Sequence, residues 1–260
     1  MIGPALLALD FDGVLCDGMR EYFETAWRAG RRLWPASPAT PPAGLFEAFA
    51  RLRPLVESGW EMPVLVQALV SGVPERELAR DWRPDRRLVR LGLARETVAA
   101  ELDRVRDAWI AADAAGWLAA HRFYPGVVER LRGLVAGPGR VVVVTTKEGR
   151  FARQLFHGHG LSLGEGNVFG KETRRRKPAV LRALLAHERL PAAALWFVED
   201  RLAALREAAE APGLAGARLF LAAWGYNTPE DREATRRDER ITVLPLERFA
   251  GPLAGWLAAT

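Results

Sequence analysis

Cysteine is almost missing from this chain. Cys16 stands alone among 260 residues, so no intrachain disulfide is possible, and a reducing, cytoplasmic setting is expected. No apolar run approaches the roughly 20 residues that a membrane-spanning helix needs. The opening apolar stretch, Ile2 to Leu9, has no basic residues before it and runs straight into Asp10. A buried strand fits that pattern better than a secretion signal. Internal repeats and low-complexity tracts are also lacking, as is any basic stripe interleaved with aromatic residues. The last absence matters because the formal charge is +5 and the pI about 9.9. Surplus positive charge favours anionic ligands. The arginines, however, are scattered over many segments, so no nucleic-acid partner is expected. No feature of the sequence sets an oligomeric state.

What is present is ordinary globular material: 49% hydrophobic and 27% charged residues. The length suffices for one large domain and a smaller insertion. Ala5–Leu9, Arg140–Val144 and Ala194–Val198 are short apolar runs that end in polar residues, the pattern of parallel strands covered on both faces. Ala217–Ala222 and Ile241–Leu244 look similar. Helical spacing falls between them, over Gly126–Val135, Arg150–His157, Pro178–His187 and Arg201–Ala209. The alternation predicts an open α/β fold with a parallel, Rossmann-like sheet and right-handed crossovers. Such sheets bind ligands beyond the carboxyl ends of their strands. The polar residues at those ends are Asp10, Asp12, Thr145, Thr146, Glu199 and Asp200.

Residues 18–121 differ. No strand pattern appears there, and Glu21–Leu33, Leu45–Glu57, Val64–Val70 and Arg95–Leu118 show helical spacing, interrupted by a loop at Pro35, Pro38, Pro41 and Pro42. The expected organisation is a core of residues 1–17 and 122–260 with a helical insertion at 18–121. Six of the nine tryptophans lie in the insertion, where they are expected chiefly to pack its small core.

Asp10 and Asp12 carry the first chemical signal. Alternate residues of an extended chain point to one side, so the two carboxylates begin as neighbours at a strand end. Close carboxylates do not both ionise cheaply, which suits one ionised nucleophile and one protonated acid. A D-x-D taken alone is weak evidence and reads rather as a cap for the following helix or turn, and Gly13 supplies a sharp turn in either case. Other candidates are weaker. His157 and His159 lack further ligands for a metal, Cys16 lacks a histidine partner, and Arg174, Arg175 and Arg176 read as a solvated basic loop.

Asp10-Phe11-Asp12-Gly13-Val14-Leu15-Cys16-Asp17 resembles the first motif of haloacid dehalogenase (HAD) superfamily phosphatases. Val141–Val144 with Thr145-Thr146-Lys147 resembles their second. Lys177-Pro178, preceded by Val168-Phe169-Gly170-Lys171-Glu172, is similar to their third, and Trp196-Phe197-Val198-Glu199-Asp200 to their fourth, in a Glu-Asp form. Tyr124-Pro125-Gly126-Val127 and Trp224-Gly225-Tyr226 add to the likeness, which spans essentially the whole chain and points to the phosphoglycolate phosphatase and β-phosphoglucomutase-like branch with a helical cap. The resemblance implies that Asp10 attacks phosphorus and that Asp12 acts as acid and then base. It implies Mg²⁺ held by Asp10, Asp12 through its backbone carbonyl, Asp200 and Glu199. Thr145, with Thr146 as an alternative hydroxyl, and Lys177 would hold the phosphoryl group. The implied partner is a small phosphate ester, and the family's caps close over the site and choose the substrate. Asp12 separates the chain from the dehalogenase branch, which lacks it. One departure stands out: the family's additional acid, four residues after the metal-binding Asp, is Ala204 here, and Arg201 replaces a usual small residue. A sugar-phosphate mutase and a non-catalytic binding protein are the competing expectations.

Overall fold

A computed structural model of the protein describes residues 3–257. The chain folds into two compact units, Met1–Asp17 with Arg122–Thr260, and Gly18–His121.

The first unit is built on a six-stranded sheet. The chain forms β1 (Leu6–Leu9), β2 (Cys16–Asp17), β3 (Arg122–Phe123), β4 (Arg140–Val144), β5 (Val168–Phe169), β6 (Leu195–Glu199), β7 (Arg218–Ala222) and β8 (Ile241–Leu244). The large sheet has the order β5-β4-β1-β6-β7-β8, and every pairing in it is parallel. β1 is central, with Leu9 opposite Val143 on one side and Val198 on the other. Its four residues are all buried, as a strand between two helical layers requires. On one face, Leu6, Ala8, Val142, Val144, Phe197 and Leu219 join a single apolar core. On the other, Trp196 packs on Phe220 at 5.3 Å and Trp256 stacks on Phe249 at 5.1 Å between ring centroids.

The second unit contains helices only: α1 (Met19–Leu33), α2 (Leu45–Leu52), α3 (Glu61–Val70), α4 (Glu75–Arg80), α5 (Pro84–Leu91), α6 (Arg95–Ala112) and α7 (Ala114–Ala119). α1 packs against α3 and α6. Trp27 and Trp117 are buried, and Trp34, Trp60 and Trp82 pack on Val64, Leu88 and Val98. Trp109 is half-buried, with the Arg28 guanidinium 4.4 Å over its ring. A charged network lies within this unit: Glu21, fully buried, accepts from Thr25 Oγ1 and Arg106 Nε, both at 2.7 Å.

Helices α8 (Val127–Val135), α9 (Gly149–Gly158), α10 (Lys177–Glu188), α11 (Leu202–Glu210), α12 (Pro229–Thr235) and α13 (Leu246–Ala250) connect and flank the strands. α10 and α11 supply Leu181, Leu184, Leu205 and Ala208 to the core beneath the sheet.

The five expected strands agree with the structure to within a residue. The period gave no sign of β2, β3 or β5, each two residues long and too short to show alternation. The expected helix Arg95–Leu118 is two helices. Asp113 leaves helical geometry and its carboxylate accepts the Gly116 amide at 2.8 Å, ending α6 and capping α7. Leu45–Glu57 likewise ends as helix at Leu52 and continues as a 3₁₀ turn, Arg53–Leu55. Periodicity marks no helix over 71–94, where α4 and α5 form. α5 starts at Pro84, whose fixed φ suits a first helical turn.

Candidate active site

Strand order gathers the acidic residues. Asp10 follows β1, Thr145 follows β4, and Glu199 ends β6 just before Asp200, so the three central strands deliver them to one end of the sheet. The chain leaves β1 for one side of the sheet and returns to its other side with β6, a topological switch point of the kind where such folds bind ligands.

The turn after β1 is tight. Leu15 and Cys16 both donate to the Phe11 carbonyl, and Gly13 donates to the Cys16 carbonyl, each at 2.9 Å. Gly13 has φ +81°, and a Cβ there would overlap the Asp200 carboxylate. Only glycine lets this turn lie against Asp200. Asp10 donates its amide to the Val198 carbonyl at 2.9 Å, and its Oδ1 accepts the Phe11 amide at 2.7 Å.

Carboxylate oxygens of Asp10, Glu199 and Asp200, all buried, lie within 4.8 Å of one another. Lys177 opens α10 and places its Nζ 2.8 Å from Asp10 Oδ2 and 2.5 Å from Glu199 Oε2. The second Glu199 oxygen accepts the Arg201 amide at 3.0 Å. Asp200 Oδ2 accepts the Tyr226 amide at 2.7 Å. Asn227 Nδ2 donates to the Asp200 and Ala222 carbonyls at 3.0 and 2.8 Å, and Arg232 holds Asn227 Oδ1 at 2.8 Å. Lys177 meets Asp10 and Glu199, so one ammonium stands within a cluster of three buried acids. Burial first, then repulsion from Glu199, pushes the Asp10 carboxyl up to about 7, against the pull of Lys177. Burial likewise raises Glu199 and Asp200. Lys177 is pulled down by its own burial, but Asp10 and Glu199 outweigh this and hold it above its ordinary value.

Asp12 lies two residues beyond Asp10, with Lys147 Nζ 3.4 Å from its Oδ1. Thr145 is buried. Its amide donates to the Phe169 carbonyl at 2.9 Å and its Oγ1 accepts the Lys147 amide at 3.1 Å. Thr146 is exposed. Of the weaker candidates, His157, His159 and Arg174 to Arg176 are all exposed. Cys16 is fully buried and its thiol is pushed up, by burial first and by Asp12 next, the setting of a packing cysteine. Ala204 lies in α11 and is half-buried; Glu199 supplies the third carboxylate of the cluster.

Sequence reasoning gave Lys147, Tyr226 and Asn227 no role in the site. A signal for the first was present: among 37 basic residues the only lysines are Lys147, Lys171 and Lys177, and two of them meet acids here. The Tyr226 contact is a backbone amide, which leaves no mark in side-chain identity. Two sizeable hollows elsewhere, about 780 Å³ beside Leu7, Leu134 and Leu253 and about 530 Å³ beside Trp60 and Trp82, contain none of this machinery.

No protein-family model matches the chain, and no curated protein matches it in sequence. Solved structures do match. One is a predicted phosphatase from Clostridium acetobutylicum, with TM-score 0.61 and 12% identity over 95% of this chain and 97% of that one. Another is a predicted phosphoglycolate phosphatase from Haemophilus somnus, with TM-score 0.58 and 16% identity over 92% and 93%. A haloacid dehalogenase-like hydrolase from Streptococcus pneumoniae has TM-score 0.56 and 14% identity over 94% and 95%. The chain therefore has the fold of the HAD-like hydrolases over 92–95% of its length.

Proposed function

We propose that the protein is a Mg²⁺-dependent phosphatase that hydrolyses a small phosphorylated metabolite through an aspartyl-phosphate on Asp10. The observation that carries this reading is the cluster itself: a buried acid just after the central strand, two more acids at and just after the end of β6, and one lysine bridging Asp10 to Glu199. The donor set fits a hard divalent cation. Its ligands are oxygens, and three buried acids crowded together ionise fully only with a cation beside them. Asp10, Asp200 and the Asp12 carbonyl would hold Mg²⁺, with Glu199 beside them. When bound, the ion supplies charge neutralisation between the nucleophilic carboxylate and an anionic substrate.

The remaining roles belong to the chain. Asp10, deprotonated, attacks phosphorus in line. Asp12 gives its proton to the departing ester oxygen as the P–O bond breaks, then takes one from the water that hydrolyses the acyl phosphate. Thr145 and nearby backbone amides hold phosphoryl oxygens, and Lys177 offsets their charge, since phosphoryl transfer rests on positioning and electrostatics. The helical unit, 18–121, acts as the cap that selects the substrate. Phosphoglycolate is one candidate ester, consistent with the name of the Haemophilus somnus structure.

The test is phosphate release from a panel of sugar, nucleotide and carboxylate phosphates with Mg²⁺, with Asp10→Asn as control. Turnover by the wild type and a loss of about 10³-fold or more in the variant are expected. No release from any ester by the wild type would overturn the reading in favour of a binding protein, and isomerised sugar phosphate without free phosphate would indicate a mutase.

A further inference from the structure

Asp12 must keep its carboxyl in one place through two opposite proton transfers. Its Oδ1 is buried without a hydrogen-bond partner among the described residues, and the charged group facing that oxygen is Lys147 Nζ, at 3.4 Å. The Lys147 side chain is 7% exposed and that of Asp12 13%, so the pair interacts with little screening by water. A lysine stem is flexible and has to be held to act as a fixed point.

The loop 145–149 is held from one side at three successive places. Thr145 donates its amide to the Phe169 carbonyl and Lys171 donates to the Lys147 carbonyl, both at 2.9 Å. Glu172 Oε2 accepts the Gly149 amide at 2.9 Å, capping the open N-terminus of α9 from a distant turn. Gly170 makes this approach possible, because a Cβ there would overlap the Gly149 nitrogen and lie 2.6 Å from the Lys147 carbonyl oxygen. The Glu172 carboxyl is held below its ordinary value despite some burial, by the Gly149 amide and neighbouring N–H groups and by Arg153. Strand β5 is only two residues long, and the turn after it braces the loop that carries Lys147.

We propose that Lys147 is a positioning residue for Asp12, aimed by the turn 169–172, with Glu172 as the outer anchor of that brace. This rests on the reading of Asp12 as acid and base given above. Asp12 is needed most when the departing alkoxide is a poor leaving group, since protonation by a placed acid contributes about 10²–10⁴-fold to such steps. A positioning role therefore shows in the dependence of rate on leaving-group acidity, which a general loss of structure does not alter.

The experiment measures kcat and KM for Mg²⁺-loaded protein on phosphate esters ranging from 4-nitrophenyl to alkyl, for wild type, Asp12→Asn, Lys147→Met, Lys147→Arg and the Asp12→Asn/Lys147→Met pair. Lys147→Met is expected to lose about tenfold or more in kcat on the alkyl ester and less than about threefold on the nitrophenyl ester. Lys147→Arg should recover most of that difference, and Lys147→Met should add nothing in the Asp12→Asn background. Equal losses on all esters, or a rise in KM alone, would overturn the proposal. Should Asp12→Asn itself leave the leaving-group dependence unchanged, the acid–base reading of Asp12 falls instead, a result distinct from a silent Lys147→Met beside a sensitive Asp12→Asn. The brace has its own readout, because the Glu172 side chain is exposed and its replacement leaves the core intact. In Glu172→Ala, which removes the acceptor for the Gly149 amide, amide hydrogen exchange over 145–149 should quicken by about tenfold while β4 stays protected; unchanged exchange would remove Glu172 from the brace.

Discussion

The Lys177 ammonium and the Asp10 carboxylate meet at 2.8 Å, with the two side chains 13% and 9% exposed. Each would be costly to bury alone, and Lys177 is shared with Glu199. Removing one member of a buried pair costs about 3–5 kcal/mol because the other stays behind uncompensated. Lys177→Met should lower Tm in the absence of metal, and with Mg²⁺ present should cut phosphate release by about 10²–10³-fold, the scale of a lost electrostatic donor. A variant with wild-type turnover would show that the lysine serves folding alone.

Gly13 and Asp200 are in close approach: the turn after β1 lies where a side chain would strike the carboxylate. Gly13→Ala should therefore displace Asp200 and strain a positive φ, at about 1–3 kcal/mol for the backbone alone. The expected outcome is a reduced Tm together with a weakened response of Tm to added Mg²⁺. Asp200→Asn, which keeps an acceptor for the Tyr226 amide, should lose the Mg²⁺ response with a smaller change in Tm. A full Mg²⁺ response in Asp200→Asn would place the cation elsewhere.

Asp10, pushed by burial and by Glu199 from 3.8 to about 7, holds a proton in the folded protein through a range where the unfolded chain has released it. The folded state thus binds more protons there, and the stability of metal-free protein falls as pH rises through that window. Glu199 and Asp200 are shifted the same way and add to the fall. Lys177, shifted up from 10.5, gives up its contribution only above that value. In EDTA, Tm should decline from the acidic to the alkaline side of neutrality. Mg²⁺, which takes the deprotonated acids, should raise Tm more on the alkaline side. Equal Tm gains at both ends would contradict the assignment of these acids to the cation.

Within the helical unit, Arg106 pairs with the fully buried Glu21 at 2.7 Å. Arg106→Met leaves that carboxylate without its counter-charge and should destabilise the protein by about 3–5 kcal/mol. Glu21→Gln/Arg106→Met together should recover part of the loss. Additive losses in the double variant, measured by denaturant unfolding, would show that the two residues act independently.

The sheet strands were legible because their signal is local: short apolar runs stopping at polar residues recur at Leu6–Leu9, Arg140–Val144 and Leu195–Glu199. The site acids Asp10, Glu199 and Asp200 were legible for the same reason, since each sits where a run ends. Asp113, which splits a helix, and the two-residue strand Val168–Phe169 were not. A single side-chain cap or a pair of edge hydrogen bonds outweighs periodicity without altering it.

The order of residues along the chain determined which groups stand at strand ends, and so which chemistry was available. Only the folded arrangement decided who meets whom: Lys177 between Asp10 and Glu199, Lys147 facing Asp12, and the Tyr226 amide on Asp200. Asp10 and Lys177 stand more than half the chain apart in sequence. Propensity acts over a few neighbours, whereas partners at that separation are chosen by strand order and by the space a glycine leaves open.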